Sequence, residues 1–219
     1  MAIQVQGNGG TVAEVDGTVY RAMRTTLRPL DYGALGSYRM SLLTGTMAAG
    51  LAANAEVFQF RWTDASRFCV VTSVLWDGLS GSATAFAAGF GKVDMLVARS
   101  FTADGSGGTA ATLTGNNQKM RTSGMGATLL GSARIASTAA LGAGTKTLDT
   151  QAIGQYSAAF GTATSTQWIP QIDLFHADPG GESPLILAQN EGFAIRATVP
   201  ATGTWQGGVT VCWTELAAY

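Results

Sequence analysis

Charge is scarce in this chain. Lys and Arg total 13 and Asp and Glu 14 among 219 residues, about half the usual charged share. A net charge of −1 withholds the electrostatic term that drives nucleic-acid binding, so nucleic acid is not expected as a partner. Histidine is scarcer still. A Ser-His-Asp or Cys-His triad must use the single histidine, His176, or not exist. The two cysteines, Cys69 and Cys212, sit in apolar runs without metal-type spacing, which reads as two buried free thiols in a reducing compartment. A zinc site would need Cys or His companions that the sequence does not supply. Long apolar runs are missing too. TMAAGLAANA, the longest neutral stretch, is short and broken by glycine, so no membrane span is expected. MAIQVQGNGG has neither a basic start nor an apolar centre, so no secretory leader is expected.

What is present is glycine, with 29 residues, and an apolar fraction of 46%. That fraction argues against a disordered chain. A freely diffusing domain usually relies on mixed surface charge for solubility. Low charge with ordinary apolar content fits a surface that meets other protein; an unusually neutral soluble domain is the alternative.

Residues 1–36 differ from the rest. Early glycines, an Asp16-Gly17 hairpin signal in AEVDGTVYRAMR and the irregular LRPLDYGALG offer few large apolar groups. This segment reads as an extended N-terminal arm, residues 37–219 as the folded domain. Arg21, Arg24 and Arg28 would share a helix face or divide between the faces of a strand. Beyond Ser37 the period is two. SYRMSLLTG aligns Tyr38, Met40 and Leu42, and EVFQFRW aligns Phe58, Phe60 and Trp62 against Val57, Gln59 and Arg61. RFCVVTSVLWDG is apolar on both faces, as a central strand is. GKVDMLVARSF, WIPQIDLFHA, PLILAQNEGFAIRATV and GVTVCWTEL supply further strands, with Pro170 marking an edge or a strand start. Residues 102–166 are rich in Gly, Thr, Ala and Ser. Because long structureless loops are rare, short strands are expected at QKMRTSG, SARIAS and QYSAAFGT, or a short helix over ARIASTAAL; SATAFAAGF is ambiguous. Many short strands with Gly/Pro/Asn turns and no βαβ rhythm predict an all-β fold, a two-sheet antiparallel sandwich of jelly-roll type with an extended N-terminal arm.

The chemical motifs are thin. DLFHADPG places Asp173 and Asp178 near His176, a pattern more typical of a hydrogen-bonded structural histidine than of a catalytic or metal site. GAGTKT at 142–147 lacks the spacing of a phosphate loop and reads as a turn. GMGATLLG and the single Asp104-Gly105 match neither a dinucleotide nor a calcium loop. No catalytic residue, cofactor or metal is therefore expected. Trp62, Trp76 and Trp213 alternate with apolar residues and read as core, whereas Trp205, in TGTWQGG, reads as the exposed aromatic on which a sugar could stack.

The runs VDGTVYRAMRTTLRPLDYG, TGTMAAGLAANAEVFQFRW and NEGFAIRATVPATGTWQGGVTVCWTEL resemble small structural proteins of tailed bacteriophages and prophages, over about the first 62 residues and the last 30 or so. The resemblance implies a non-enzymatic virion component assembled in the host cytoplasm, of head-decoration or tail type. The expectation is a homo-oligomer, a trimer, whose arm grips neighbouring capsid or tail proteins through Tyr20, Arg21, Arg24, Arg28 and Tyr32. Two other readings compete: a tail-tip module binding host glycans, and a hydrolase using His176.

Overall fold

A computed structural model describes residues 5–6, 12–13, 36–48, 50–81, 85–120, 123–160, 171–177 and 184–217. The chain divides into two units, Met1–Leu30 and Asp31–Tyr219. In the first, β1 (Val5–Gln6) pairs antiparallel with β2 (Val12–Ala13). The Asp16-Gly17 turn and the proposed arm residues Tyr20, Arg21, Arg24, Arg28 and Tyr32 lie outside the described residues.

The second unit is all-β, two antiparallel sheets packed as a sandwich, with no helix among the described residues. Its strands are β3 (Ser37–Leu43), β4 (Met47–Ala48), β5 (Ala55–Trp62), β6 (Phe68–Gly81), β7 (Gly89–Ala103), β8 (Thr109–Ala110) and β9 (Leu130–Ile135). They continue with β10 (Thr145–Leu148), β11 (Gly154–Phe160), β12 (Ile172–His176), β13 (Leu185–Leu187), β14 (Glu191–Thr198) and β15 (Thr204–Leu216). One sheet runs β10-β7-β14-β5-β9-β8, with β11 also paired to β7. The other runs β12-β6-β15-β3, with β13 on β6 and β4 on β15.

Period-two patterning explains the layers. Phe58, Phe60 and Trp62 of β5 and Phe193, Ile195 and Ala197 of β14 face inward from the first sheet. Tyr38 and Met40 of β3, Val74 and Trp76 of β6, and Val209, Val211 and Trp213 of β15 face them from the second. Phe60 stacks on Phe193 at 4.9 Å and meets Trp213 edge-on at 5.4 Å, so aromatic contacts cross the core from sheet to sheet. β6 is central in its sheet, as its apolar faces predict. The sheets close on each other where β11 passes β12. A Cβ on Gly154 would lie 1.7 Å from the Leu174 carbonyl oxygen, so only glycine permits that approach.

Three local expectations need correction. Trp205 is fully buried, because TGTWQGG is not a turn tip: Trp205 pairs with Met47 of β4 and Gly81 of β6 and turns its ring into the core. QKMRTSG forms no strand over its described residues. Gln118 has φ 66°, and the segment instead clips onto the edge of β3 through Arg39 N to Gln118 O and Met120 N to Ser37 O. The long loop expected to break into strands persists from 111 to 129, with a lone bridge between Lys119 and Tyr38 among its described residues. SARIAS and QYSAAFGT do form strands, β9 and β11, so ARIASTAAL is not helical.

Candidate functional site

The second face of β15 lies on the outside of the β12-β6-β15-β3 sheet. Registers arrange that face in rungs: Leu43–Gly208–Asp77, Ser41–Thr210–Leu75–Asp173, Arg39–Cys212–Ser73–His176, and Ser37–Thr214–Val70–Ile186. Its centre is small and hydroxyl-bearing. Ser41 and Thr210 hydroxyls share a hydrogen bond of 2.8 Å and those of Ser37 and Thr214 one of 3.3 Å. Threonine and serine satisfy one another across the strands; Thr210 and Thr214 are themselves buried, and Ser41 is the exposed member of these pairs. Among the described residues, charge on this face comes from Arg39 on β3, Asp77 on β6 and Asp173 on β12. Leu43 stands 63% exposed at the sheet's edge. Among the described residues β3 ends the sheet with β15 as its partner strand, and the 118–120 clip lies along its Ser37–Arg39 end.

His176 is exposed on this face, paired with Ser73, and Asp173 stands one rung away beside Leu75. Asp178 lies outside the described residues, and among the described residues no three His, Cys, Asp or Glu side chains group to hold a metal. Both cysteines are free thiols on opposite faces: Cys69 is buried in the core and Cys212 half-buried on the outer face. Burial, with Glu215 nearby, pushes the Cys69 thiol well above its usual range. No helix among the described residues is long and apolar enough to cross a membrane.

Two polar clusters escaped the sequence reading. The first surrounds Glu215, which follows Val209, Val211 and Trp213 on the inward face of β15 and is fully buried. Its Oε1 accepts hydrogen bonds from the Thr128 hydroxyl at 2.6 Å, the Leu129 N–H at 2.9 Å and the Trp213 indole at 3.4 Å. Its Oε2 has no hydrogen-bond partner. Desolvation raises this carboxyl's pKa, and the three donors oppose the rise. Beside it the Tyr38 hydroxyl donates to the carbonyls of Gly126 and Ala127 and is pushed up to about 12, chiefly by burial and then by Glu215. Together they fasten the 111–129 loop to the sandwich.

The second cluster lies on the outer face of the seven-stranded sheet. Gln59, 2% exposed, reaches Gly142 O (2.8 Å) and Glu56 Oε2 (2.6 Å) through Nε2, and receives the Gly105 N–H at 2.9 Å on Oε1. Lys146 comes from β10, three strands away, and crosses the Phe101 ring at 4.8 Å to meet the same Glu56 Oε2 at 2.8 Å. Its side chain is 2% exposed, and it also donates to Ala143 O. Arg61 pairs with Asp104 at 2.7 Å, and Ser132 donates to that carboxylate. The alternation of EVFQFRW places Gln59 on this face; nothing in GAGTKT signals that Lys146 would cover it.

Comparison with family models, with curated proteins and with solved structures gives no match in any of the three.

Proposed function

We propose that this chain is a non-enzymatic structural subunit that works by self-association, with the outer face of the β12-β6-β15-β3 sheet as its contact surface. The observation that carries the reading is that face's exposed rim: Arg39, Ser41 and Leu43 along β3, and Asp173 and His176 along β12. Two copies laid face to face, related by a two-fold axis along the strands, bring the β3 margin of each over the β12 margin of the other. Level rungs then set Arg39 against His176 and Ser41 against Asp173, with Asp173 one rung from Arg39 as the charge pair the contact would use. The open end of β3, with Leu43, offers main-chain groups for strand addition between further copies. A virion setting, with the arm gripping a capsid or tail lattice, jelly-roll wiring and trimeric stoichiometry, extends this proposal and rests on the sequence resemblance. The glycan-binding alternative loses its main residue, because Trp205 is inside.

The test is sedentation equilibrium across a wide concentration range, comparing the native chain with Ser41→Lys. Ser41 is exposed, so the substitution should leave the fold intact while placing a buried, unpaired charge in the interface. An oligomer that Ser41→Lys dissociates supports the face; a native chain monomeric at the highest concentration removes the proposal. Quantitative mass spectrometry of particles then addresses the virion setting through copy number.

A further inference from the structure

We propose that Lys146, Glu56 and Gln59 form a self-processing site that joins Lys146 Nζ to Gln59 Cδ as an internal amide cross-link. This site is independent of the assembly proposal. It rests on four features meeting in one buried cluster. A lysine amine, the nucleophile, is held against a carboxylate oxygen at 2.8 Å. That same oxygen, Glu56 Oε2, lies 2.6 Å from Gln59 Nε2, the nitrogen that must leave. The Gly105 N–H already sits 2.9 Å from Gln59 Oε1, where negative charge gathers when Cδ becomes tetrahedral. The Phe101 ring, fully buried, floors the cluster, and the side chains of Lys146 and Gln59 are each 2% exposed, so water does not compete as nucleophile.

The remaining polar contacts orient the partners. Gly142 O accepts from Gln59 Nε2 and keeps the amide plane fixed, while Ala143 O accepts from Lys146 Nζ. A structural ion pair needs only Lys146 and Glu56. It does not account for a carboxamide nitrogen sharing the same carboxylate oxygen while its carbonyl faces a main-chain donor.

The step balances without an added reagent. Glu56 takes a proton from the Lys146 ammonium, which moves from the carboxylate onto Gln59 Cδ, and the Nζ–Cδ bond forms. Charge passes to Oε1 against the Gly105 N–H. Glu56 delivers its proton to Nε2, the Cδ–Nε2 bond breaks, and ammonia departs. The attacking nitrogen gives up its surplus proton through Glu56 to that ammonia, which leaves as ammonium. Nothing is oxidised or reduced, and Glu56 ends as it began. The product ties β5 to β10 across the outer face of the sheet.

The experiment is intact-mass measurement of the purified, folded chain, followed by peptide mapping. The expected mass is about 17 Da, one ammonia, below that of the sequence, allowing for removal of the initiator methionine. Mapping should return the Gln59 and Lys146 peptides as one branched species, uncut after Lys146. Lys146→Arg keeps the cation on Glu56 and should restore the full mass, as should Glu56→Gln. A folded native chain at full sequence mass overturns the proposal. So does a loss placed by mapping at Asn8-Gly9, where cyclisation also sheds ammonia, or a loss of about 18 Da joining Lys146 to Glu56 itself.

Discussion

Replacing Glu215 separates two roles that one side chain combines. As an acceptor it holds the 111–129 loop; as a buried charge it works against the fold. In Glu215→Ala the Thr128 hydroxyl and Leu129 N–H, bonded now at 2.6 and 2.9 Å, are left without an acceptor. Hydrogen bonds to a charged group contribute about 1.5–3 kcal/mol each, so the loss should be about 3 kcal/mol or more, less the relief from no longer burying a charge. Glu215→Gln keeps an acceptor oxygen and removes the charge, so at neutral pH it should fall within about 1 kcal/mol of the native chain. The pH dependence has a definite sign. The folded pKa is raised, so the folded state binds more protons than the unfolded one between the two pKa values. Stability from this group is complete below the unfolded carboxyl value and is lost as pH rises through the folded one. Urea midpoints measured across the acidic and neutral range should show this decline in the native chain and lack its Glu215 component in Glu215→Gln. A native curve that rises through the window, or a Glu215→Gln curve identical to the native one, would refute the reasoning.

Three other outcomes follow from named contacts. With its pKa near 12, Tyr38 should hold its proton in the folded chain between about pH 10 and 12, where an unfolded tyrosine loses it. Stability should fall across that interval, with a late phenol step in ultraviolet titration that Tyr38→Phe abolishes. A thiol reagent should modify Cys212 before Cys69 in the native chain, and self-association should protect Cys212; equal rates at the two sites would contradict the placement on opposite faces. Gly105→Ala puts a Cβ 1.7 Å from the Gly142 carbonyl oxygen and 2.7 Å from Gln59 Nε2, whereas Gly126→Ala meets open space. The first should cost about 2 kcal/mol or more and the second under about 0.5 in denaturant melts.

The layers were readable because alternation in EVFQFRW, SYRMSLL and GVTVCWTEL is long enough to set a face. Alternation failed where single residues break it. The bulge at Val57 of β5 turns that side chain inward beside Phe58, whereas Glu215 keeps the inward parity of Trp213 and only its loop partners, Thr128 and Leu129, were hidden. Trp205 misled because glycines around it resemble a turn; here they let β15 run close beneath Trp76, as Gly207 does, where a Cβ would lie 2.3 Å from the indole. The 111–129 loop was expected to need strands of its own. Side chains far away in sequence, Tyr38 and Glu215, supply the anchoring that main-chain pairing would have given. Lys146 was invisible for the same reason: its partner is 90 residues earlier and depends on how β10 lies over the sheet.

The turn Ala188–Asn190 hands the chain from β13, in one sheet, to β14, in the other. The link is a hydrogen-bonded turn, with the Glu191 N–H on the Ala188 carbonyl at 3.1 Å and Asn190 at φ 60°, so the two strands begin within one turn of each other. Prising the layers apart must strip β13 or β14 from its neighbours before the core can admit water. Mechanical load applied to either layer is therefore carried by both, and rupture should come as one event instead of a gradual peeling.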